Sequence, residues 1–369
     1  MSSQNVLKWI LIVSNIGACL AMIITLLGGL INPNFILFPA YLSLLFPVTI
    51  FINCCFVIIW ILSRKWMFLI SLSVLLLSAT QINNTFTIHF GKSKEVAIIK
   101  PIKILTYNTW RCSRISKPTK QSPNEVLKYA LEANADIICL QEFTVSENRE
   151  FLTLKDIDKL FEKYPYKHIV FNESKSSRKE GIATFSKYPI IYKRRIDYPS
   201  KNNLSIVSDI NFNGSIIRLI NNHLESNRLT DNDKSRPLSL KDNFIADSIS
   251  DITLYFSKKL ASAYKIRAVQ ADSVAQVVKA SPYKVLLCGD FNDVPCSYTY
   301  TTIKCHLTDA FPESGFGMGW TFNEKYFHFR IDYVMFDASQ FELIKYQSDK
   351  VKYSDHYPIL CTFNIKQKT

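Results

Sequence analysis

The first 91 residues almost lack charge. Of the 44 Lys+Arg and 31 Asp+Glu in the 369-residue chain, Lys8, Arg64 and Lys65 alone fall there, and none of the three is acidic. The remaining 278 residues hold the other 72 charged side chains, about 26%, close to the usual soluble fraction of about 25%. So uneven a split excludes disorder, a collagen-like or coiled-coil chain, and one soluble domain running from residue 1. It leaves an apolar front section joined to a soluble domain of roughly 270 residues, enough for a sizeable core.

Other absences narrow the chemistry. The chain has no P-loop, no Gly-rich dinucleotide fingerprint and no nucleophilic Ser or Cys arrangement, which removes kinases, Rossmann oxidoreductases and triad hydrolases. Its nine cysteines form no CxxC pair, which argues against a zinc site. Cys19, Cys54 and Cys55 lie in the apolar front section, while Cys139, Cys288 and Cys361 sit in strand-like apolar runs and read as small buried hydrophobes. Cys112, Cys296 and Cys305 fall in loops, where a Cys296–Cys305 bridge stays open. There is no internal repeat and no low-complexity tract.

What is present in the front section is three apolar stretches, 9–31, 36–62 and 66–82, read as three transmembrane helices. Pro47 stands near the middle of the second and is expected to kink it. Trp66 opens the third, a residue favoured at membrane interfaces. A cleaved signal peptide is the competing reading of 9–31, but the run is too long and two more follow it. Basic residues flank the N-terminus and the 62–66 turn, so the positive-inside rule puts the N-terminus in the cytoplasm and the C-terminal domain on the extracytoplasmic side. The domain layout is therefore a membrane region over 1–82, a short polar linker over 83–100, and a soluble domain over 101–369 held near the bilayer.

From about Lys103 onward, short β-rich runs alternate with helical stretches, as in an α/β layered domain. Strands are expected at 103–108, 136–142, 181–185, 204–210, 215–223, 284–288, 331–336 and 357–363, with helices at 124–132 and 266–278. Asn108, Glu142 and His223 end their strands, and Asp290 with Asn292 follow one directly. Asp332 begins its strand and Asp355-His356 precede the last. If these groups share one mouth, the last two strands run antiparallel to the others, which predicts mixed sheets. Polar residues gathered where apolar strands end are the layout of a site on a rigid scaffold.

Six pieces occur in order: Asn108 in Thr-Tyr-Asn-Thr-Trp, Gln141-Glu142, Asn222-His223-Leu224-Glu225, Gly289-Asp290-Phe291-Asn292, Arg330-Ile331-Asp332-Tyr333 and Ser354-Asp355-His356. Each is weak alone; together, each set against a strand, they resemble the endonuclease/exonuclease/phosphatase superfamily over about residues 101–366. That superfamily includes deoxyribonucleases, apurinic endonucleases, inositol polyphosphate phosphatases and neutral sphingomyelinases. The resemblance implies a four-layer α/β sandwich of two mixed β-sheets flanked by helices. It implies a magnesium-dependent phosphoester hydrolase, with manganese as a substitute, in which water attacks phosphorus directly.

Hydrolysing a phosphate ester requires neutralising charge on phosphoryl oxygens, aligning a water and stabilising the leaving oxygen. By resemblance, Glu142 is the principal metal ligand, with Asn108 and Asp355 beside it. Asp290 and Asn292 orient the water, although an Asx-turn capping the strand would use the same residues. His356 contacts the phosphate and is kept protonated by Asp332, and His223 acts as general acid in the nuclease branch. Glu180 is a candidate to orient His223. Arg267 and Gln270 either reach the cleft or pack on a helix face. Trp110, Arg111 and Arg114 are candidates to line a substrate groove, and Phe322 and Phe329 either line it or belong to the core. His89, His168, His306 and His328 match no motif and read as surface or packing residues. Residues 101–369 carry 38 Lys+Arg against 30 Asp+Glu, a net +8 that favours an anionic substrate without choosing between nucleic acid and a phospholipid headgroup. A sphingomyelinase-like lipid phosphodiesterase is the alternative to a nuclease, and a catalytically silent phosphate-binding module is the alternative to an enzyme.

Overall fold

The computed structural model describes residues 3–89, 101–112, 117–173, 176–200, 203–227, 246–324 and 327–366. Arg114 and most of the expected linker, 90–100, lie outside the described residues.

The front section folds as α1 (Ser3–Leu27), α2 (Phe38–Ser43), α3 (Phe46–Leu62), α4 (Phe68–Leu77) and α5 (Ala79–Thr85). The reading of three unbroken spans is corrected here. Asn5–Leu27 is long and apolar enough to cross a membrane; Phe46–Leu62 is apolar but shorter, and α4 and α5 form a pair bent by 66° that passes the same test only as one broken span. Pro47 does not kink the middle of a helix. It stands in the first turn of α3, where its missing N–H is one of the helix's unpaired donors anyway, and the chain breaks just before it at Leu44-Leu45.

Polar side chains hold this bundle together. Trp60 Nε1 donates to Asn15 Oδ1 at 2.9 Å, Asn15 donates to Ser71, and Cys19 Sγ donates to Asn53 Oδ1 at 3.2 Å, all buried. Such contacts join helices whose apolar surfaces alone give little preference for one partner. They also make α1 antiparallel to α3. Cys19, Met22, Phe46 and Val74 form a cluster with Cys296 of the following domain. The domain thus sits where α1 ends and α3 begins, and Lys8 and the Arg64-Lys65 turn lie at the other end of the bundle.

The front section is docked onto the domain. Asn32 Nδ2 donates to Tyr298 Oη at 3.3 Å, Tyr41 Oη to the Ser257 carbonyl at 2.7 Å, and Arg330 to the Asn84 carbonyl at 2.6 Å. Residues 83–88, expected to begin a linker, finish α5 and form β1 (Thr87–Ile88), which pairs with β11 (Phe316–Gly317).

Two six-stranded sheets form the domain. One orders β15 (Phe341–Gln347), β16 (Ile359–Ile365), β2 (Pro101–Asn108), β3 (Ile137–Ser146), β5 (Arg178–Ser186) and β4 (Tyr166–Phe171). The other orders β10 (Thr308–Asp309), β14 (Asp332–Phe336), β9 (Lys284–Asp290), β8 (Ser215–His223), β7 (Leu204–Phe212) and β6 (Ile190–Arg195). A short ribbon pairs β12 (Phe322–Glu324) with β13 (Phe327–Phe329). Both sheets are mixed as expected: β2–β3 and β8–β9 are parallel, while β14 and β16 run antiparallel to β9 and β2.

The facing sheets enclose a core that includes Ile104, Cys139, Leu219, Cys288, Val334 and Cys361. Outside one lie α6 (Glu125–Glu132), capped by Asn124, and α7 (Leu154–Leu160), opened by a Thr153/Asp156 capping box. Outside the other lie α8 (Ala246–Lys279) and α9 (Tyr298–Lys304); the short α10 (Ala310–Ser314) follows β10. Helix–sheet–sheet–helix is the four-layer arrangement expected. Strands β4, β6 and β15 escaped the sequence reading because their charged, half-exposed edges weaken the apolar pattern. All nine cysteines are free thiols, so Cys296 and Cys305 form no bridge.

Gly289, next to Asp290, is a tight backbone position beside the site. Its φ is +124°, and a Cβ there would stand 2.0 Å from the Asn222 carbonyl oxygen of the neighbouring strand. Gly289→Ala is expected to destabilise the chain by about 3 kcal/mol, from combined backbone strain and overpacking, read as a lower thermal midpoint of the purified protein.

Candidate active site

Strand register assembles the site. Asp290 lies beside His223 on one side, through the parallel β8–β9 pairing, and beside Asp332 on the other, through the antiparallel β9–β14 pairing. In the facing sheet, Asn108 lies beside Gln141. Glu142, expected to end its strand, instead stands inside β3, which runs on to Ser146; a bulge interrupts β3 between Leu140 and Phe143, and Glu142 within it has φ +53°. That bulge turns Glu142 out of the strand's alternation toward the cleft, at a backbone cost of order 1 kcal/mol.

The two sheets are tied at the cleft floor by buried hydrogen bonds. Asn108 Nδ2 donates to Asp290 Oδ2 at 2.9 Å, and Gln141 Nε2 to Asn221 Oδ1 at 2.7 Å. Asp290 also accepts from the Asn292 backbone N–H at 2.8 Å and from Asn292 Nδ2 at 3.2 Å. Asn292 therefore makes an Asx-type turn and holds Asp290 at once. Burial and repulsion from Asp332 push the Asp290 carboxyl well above the ordinary range, against the pull of His356.

His356 Nδ1 is 2.7 Å from Asp332 Oδ2, and its Nε2 is 3.8 Å from Asp290 Oδ2. Burial opposes charge on the ring, but Asp332 and Asp290 outweigh it and push its pKa up to about 10. Thr321 braces this pair, its hydroxyl accepting from the Asp332 N–H and its carbonyl from the Tyr357 N–H. Phe322 stands edge-on to the His356 ring, with centroids 5.2 Å apart. Thr321 carried no chemical signal in the sequence; its role comes from where the chain folds back.

His223 differs. Its Nε2 lies 3.8 Å from Glu142 and 3.9 Å from Asp290, beyond hydrogen-bond reach of both. Burial, reinforced by the charges of His356 and Arg111, lowers its pKa to about 3 and keeps the ring neutral. Glu180 does not reach His223: it pairs with Arg111 Nε at 2.6 Å, and that guanidinium is also 3.8 Å from Glu142. Arg111 is aimed there by a left-handed turn in which Trp110, Arg111 and Cys112 all have positive φ. Arg267 is fully buried outside the cleft, donating to the Glu225 carbonyl at 2.8 Å and to Asp293 at 3.2 Å. It braces the loops behind the site, as does Gln270, which accepts from the Glu225 N–H at 2.8 Å.

Glu142 and Asp355 face a cleft of about 490 Å³ that also exposes Asp290, Asn292, His356 and Arg111. Burial, with repulsion from Glu180 and Asp355, pushes the Glu142 carboxyl up to about 7 despite Arg111 and His356. Hard oxygen donors that repel one another in this way suit a divalent cation. Asp290, Asp332 and His356 form a second set with ligand atoms within 4.8 Å of one another. An imidazolium has no lone pair to ligate with, so a protonated His356 favours the Glu142–Asp355 side. Asn108 stands beside it, its Oδ1 already accepting from the Trp110 N–H at 3.0 Å.

Since Asp332 is the largest of the carboxylate contributions that outweigh burial at His356, Asp332→Asn is expected to lower the His356 pKa from about 10 toward the ordinary 6.5, read by NMR titration of the ring. The sign follows from linkage. A raised histidine pKa adds stability that is fully present below about 6.5 and lost as pH rises through about 10. The variant should therefore lose stability chiefly at neutral and lower pH, and an unchanged titration would refute the pairing.

The sequence of residues 105–356 matches the model of the Endonuclease/Exonuclease/phosphatase family, and residues 8–85 match a domain family of unknown function. No curated protein matches the chain. Among solved structures, the human Nocturnin catalytic domain shares 15% identity at a TM-score of 0.51, covering 73% of this chain and 96% of its own. An endonuclease/exonuclease/phosphatase family protein from Leptotrichia buccalis shares 16% at 0.50, covering 72% and 100%. One from Beutenbergia cavernae shares 13% at 0.50, covering 72% of each chain. These likenesses concern the fold, and the family match spans more than half of the chain, with the polar residues of the cleft inside it or at its border. The chain belongs to the endonuclease/exonuclease/phosphatase family.

Proposed function

We propose that the protein is a membrane-anchored, divalent-cation-dependent phosphoester hydrolase. The observation that carries this reading is one cleft lined together by Glu142, Asp290, Asp355 and His356, with His356 held by Asp332 at 2.7 Å. Glu142 and Asp355, with Asn108 adjacent, would hold magnesium or manganese. When bound, that cation supplies positive charge to a phosphoryl oxygen and makes the phosphorus more electrophilic.

The chain's own groups do the rest. The His356 imidazolium donates to a phosphoryl oxygen and stays charged across the neutral range. Asp290, with its basicity raised by burial, takes a proton from water that Asn292 helps to position. The water oxygen bonds to phosphorus, one P–O ester bond breaks, and the leaving alcohol recovers the proton. His223 is neutral, so it serves the leaving oxygen as a hydrogen-bond donor from its ring N–H rather than as a standing imidazolium. Arg111 adds charge at the cleft mouth.

The purified full chain is expected to hydrolyse bis-(p-nitrophenyl) phosphate with magnesium. Chelation should abolish the activity, and Glu142→Ala or His356→Ala should reduce it at least about a hundredfold. An intact, folded chain that binds phosphate yet hydrolyses no ester would instead be a silent phosphate-binding module.

For topology, the proposal places Lys8 and Arg64-Lys65 in the cytoplasm and the domain outside, in line with their position at the opposite end of the bundle. A reporter fused after Thr369 that works only in the cytoplasm should be inactive; activity would invert the orientation.

A further inference from the structure

The catalytic cleft has an apolar wall, and one residue of that wall comes from the front section. Leu44, at the α2–α3 junction, lines the same cleft as Glu142 and His356, together with Phe256 and Leu260 of α8 and with Val294. From there a second cavity, of about 200 Å³, continues along the seam between domain and bundle. It shares Leu44, Val294 and Phe329 with the cleft and adds Phe46, Pro47 and Met318. The acidic groups and Arg111 thus occupy one end of a track that runs to the helices of the front section, its lining mostly apolar apart from Arg330, His328, Ser43 and Thr85 along the seam.

The surroundings of Leu44 are apolar and uncovered. Phe35 is 86% exposed, Phe38 58%, Leu45 50% and Val48 51%. Phe35 and Phe38 flank the start of α2, a six-residue helix carrying no charge, and Leu45 and Val48 follow at the start of α3. Exposed apolar surface continuous with α3 has a natural cover in the acyl region of a bilayer. A nucleic acid would instead need basic groups along the track to meet successive phosphates; aromatic rings are present there, in Trp110, Phe322 and Trp320, but Arg111 is at the phosphate end and Arg330 is buried against Asp309 and the Asn84 carbonyl.

We infer that the substrate is a lipid phosphate ester, its phosphate at Glu142, Asp355 and His356 and its apolar chain along Leu44, Val294 and Phe329, with the front section forming part of the binding site. This inference rests on the phosphoesterase reading and deepens it. The reaction is the one already balanced: water adds to phosphorus, and an ester oxygen leaves as an alcohol with the proton.

The test uses the full chain in lipid nanodiscs and p-nitrophenyl alkyl phosphates, from ethyl to decyl, below their micelle concentrations. Release of p-nitrophenol reports the same bond cleavage in each. The expected kcat/KM rises about tenfold or more from ethyl to decyl, as apolar burial grows with each methylene. Leu44→Asn, and independently Phe256→Ser on α8, should cut that decyl-to-ethyl ratio severalfold, with folding checked by thermal unfolding. Turnover of every ester with no chain-length dependence would overturn the lipid inference and leave the phosphoesterase reading standing. A chain-length dependence that both folded variants retain would also overturn it, as would faster cleavage of a single-stranded oligonucleotide than of the decyl ester. No turnover of any ester would overturn both readings.

Discussion

The 2.9 Å hydrogen bond from Asn108 to Asp290 is the interaction on which the site depends, because it joins the ends of two strands that belong to different sheets. A buried carboxylate is costly unless it is hydrogen-bonded or paired. Asp290 meets that condition only because Asn108 crosses from the facing sheet, Asn292 turns back onto it and His356 approaches from a third direction. The need to satisfy one buried charge therefore sets the spacing of the sheets at the mouth of the sandwich. Gln141 and Asn221 repeat the tie one layer deeper.

Electrostatics then separates residues of the same type. His223 and His356 are both buried, yet one is neutral and the other charged. The difference is distance: His356 has a carboxylate at 2.7 Å, whereas the nearest to His223 is at 3.8 Å and two cationic neighbours oppose its proton. Glu142 is raised by burial and neighbouring carboxylates while Asp290 is raised by burial and Asp332. A cluster so rich in acid holds together by surrounding one imidazolium and one exposed guanidinium, and it gains further from any cation that enters.

The front section is tied to this chemistry by packing as well as by covalent connection. Arg330 spans the boundary, bonding Asp309 and the Asn84 carbonyl while stacking near Phe311 and Tyr333. Two residues on, Asp332 starts β14 and holds His356. A bundle fastened at this point and at Asn32 and Tyr41 has little freedom to swing away from the cleft that Leu44 helps to line.

Much was legible in the sequence. The break in charge near residue 91 marked the front section, and the placement of Asn108, Asp290, Asp332 and His356 against strand ends implied both the mixed sheets and a common mouth, since strand alternation and strand ends are local properties; Glu142 reaches that mouth from a bulge inside β3, which the sequence pattern did not show. Span integrity was not legible: hydropathy counts apolar residues but is blind to the breaks at Leu44-Leu45 and Ser78. Nor were the partners of Glu180, Arg267 and Thr321, whose side chains have reach enough for several outcomes. The sequence by itself determined which chemical groups are present and that they end up on rigid elements. Only the tertiary structure decided which histidine is charged, what Glu180 pairs with, and that a leucine from the apolar front lines the same cleft as Glu142 and His356. Those outcomes depend on distances of a few ångströms between segments up to about 300 residues apart, set by how sheets and helices pack rather than by any local pattern.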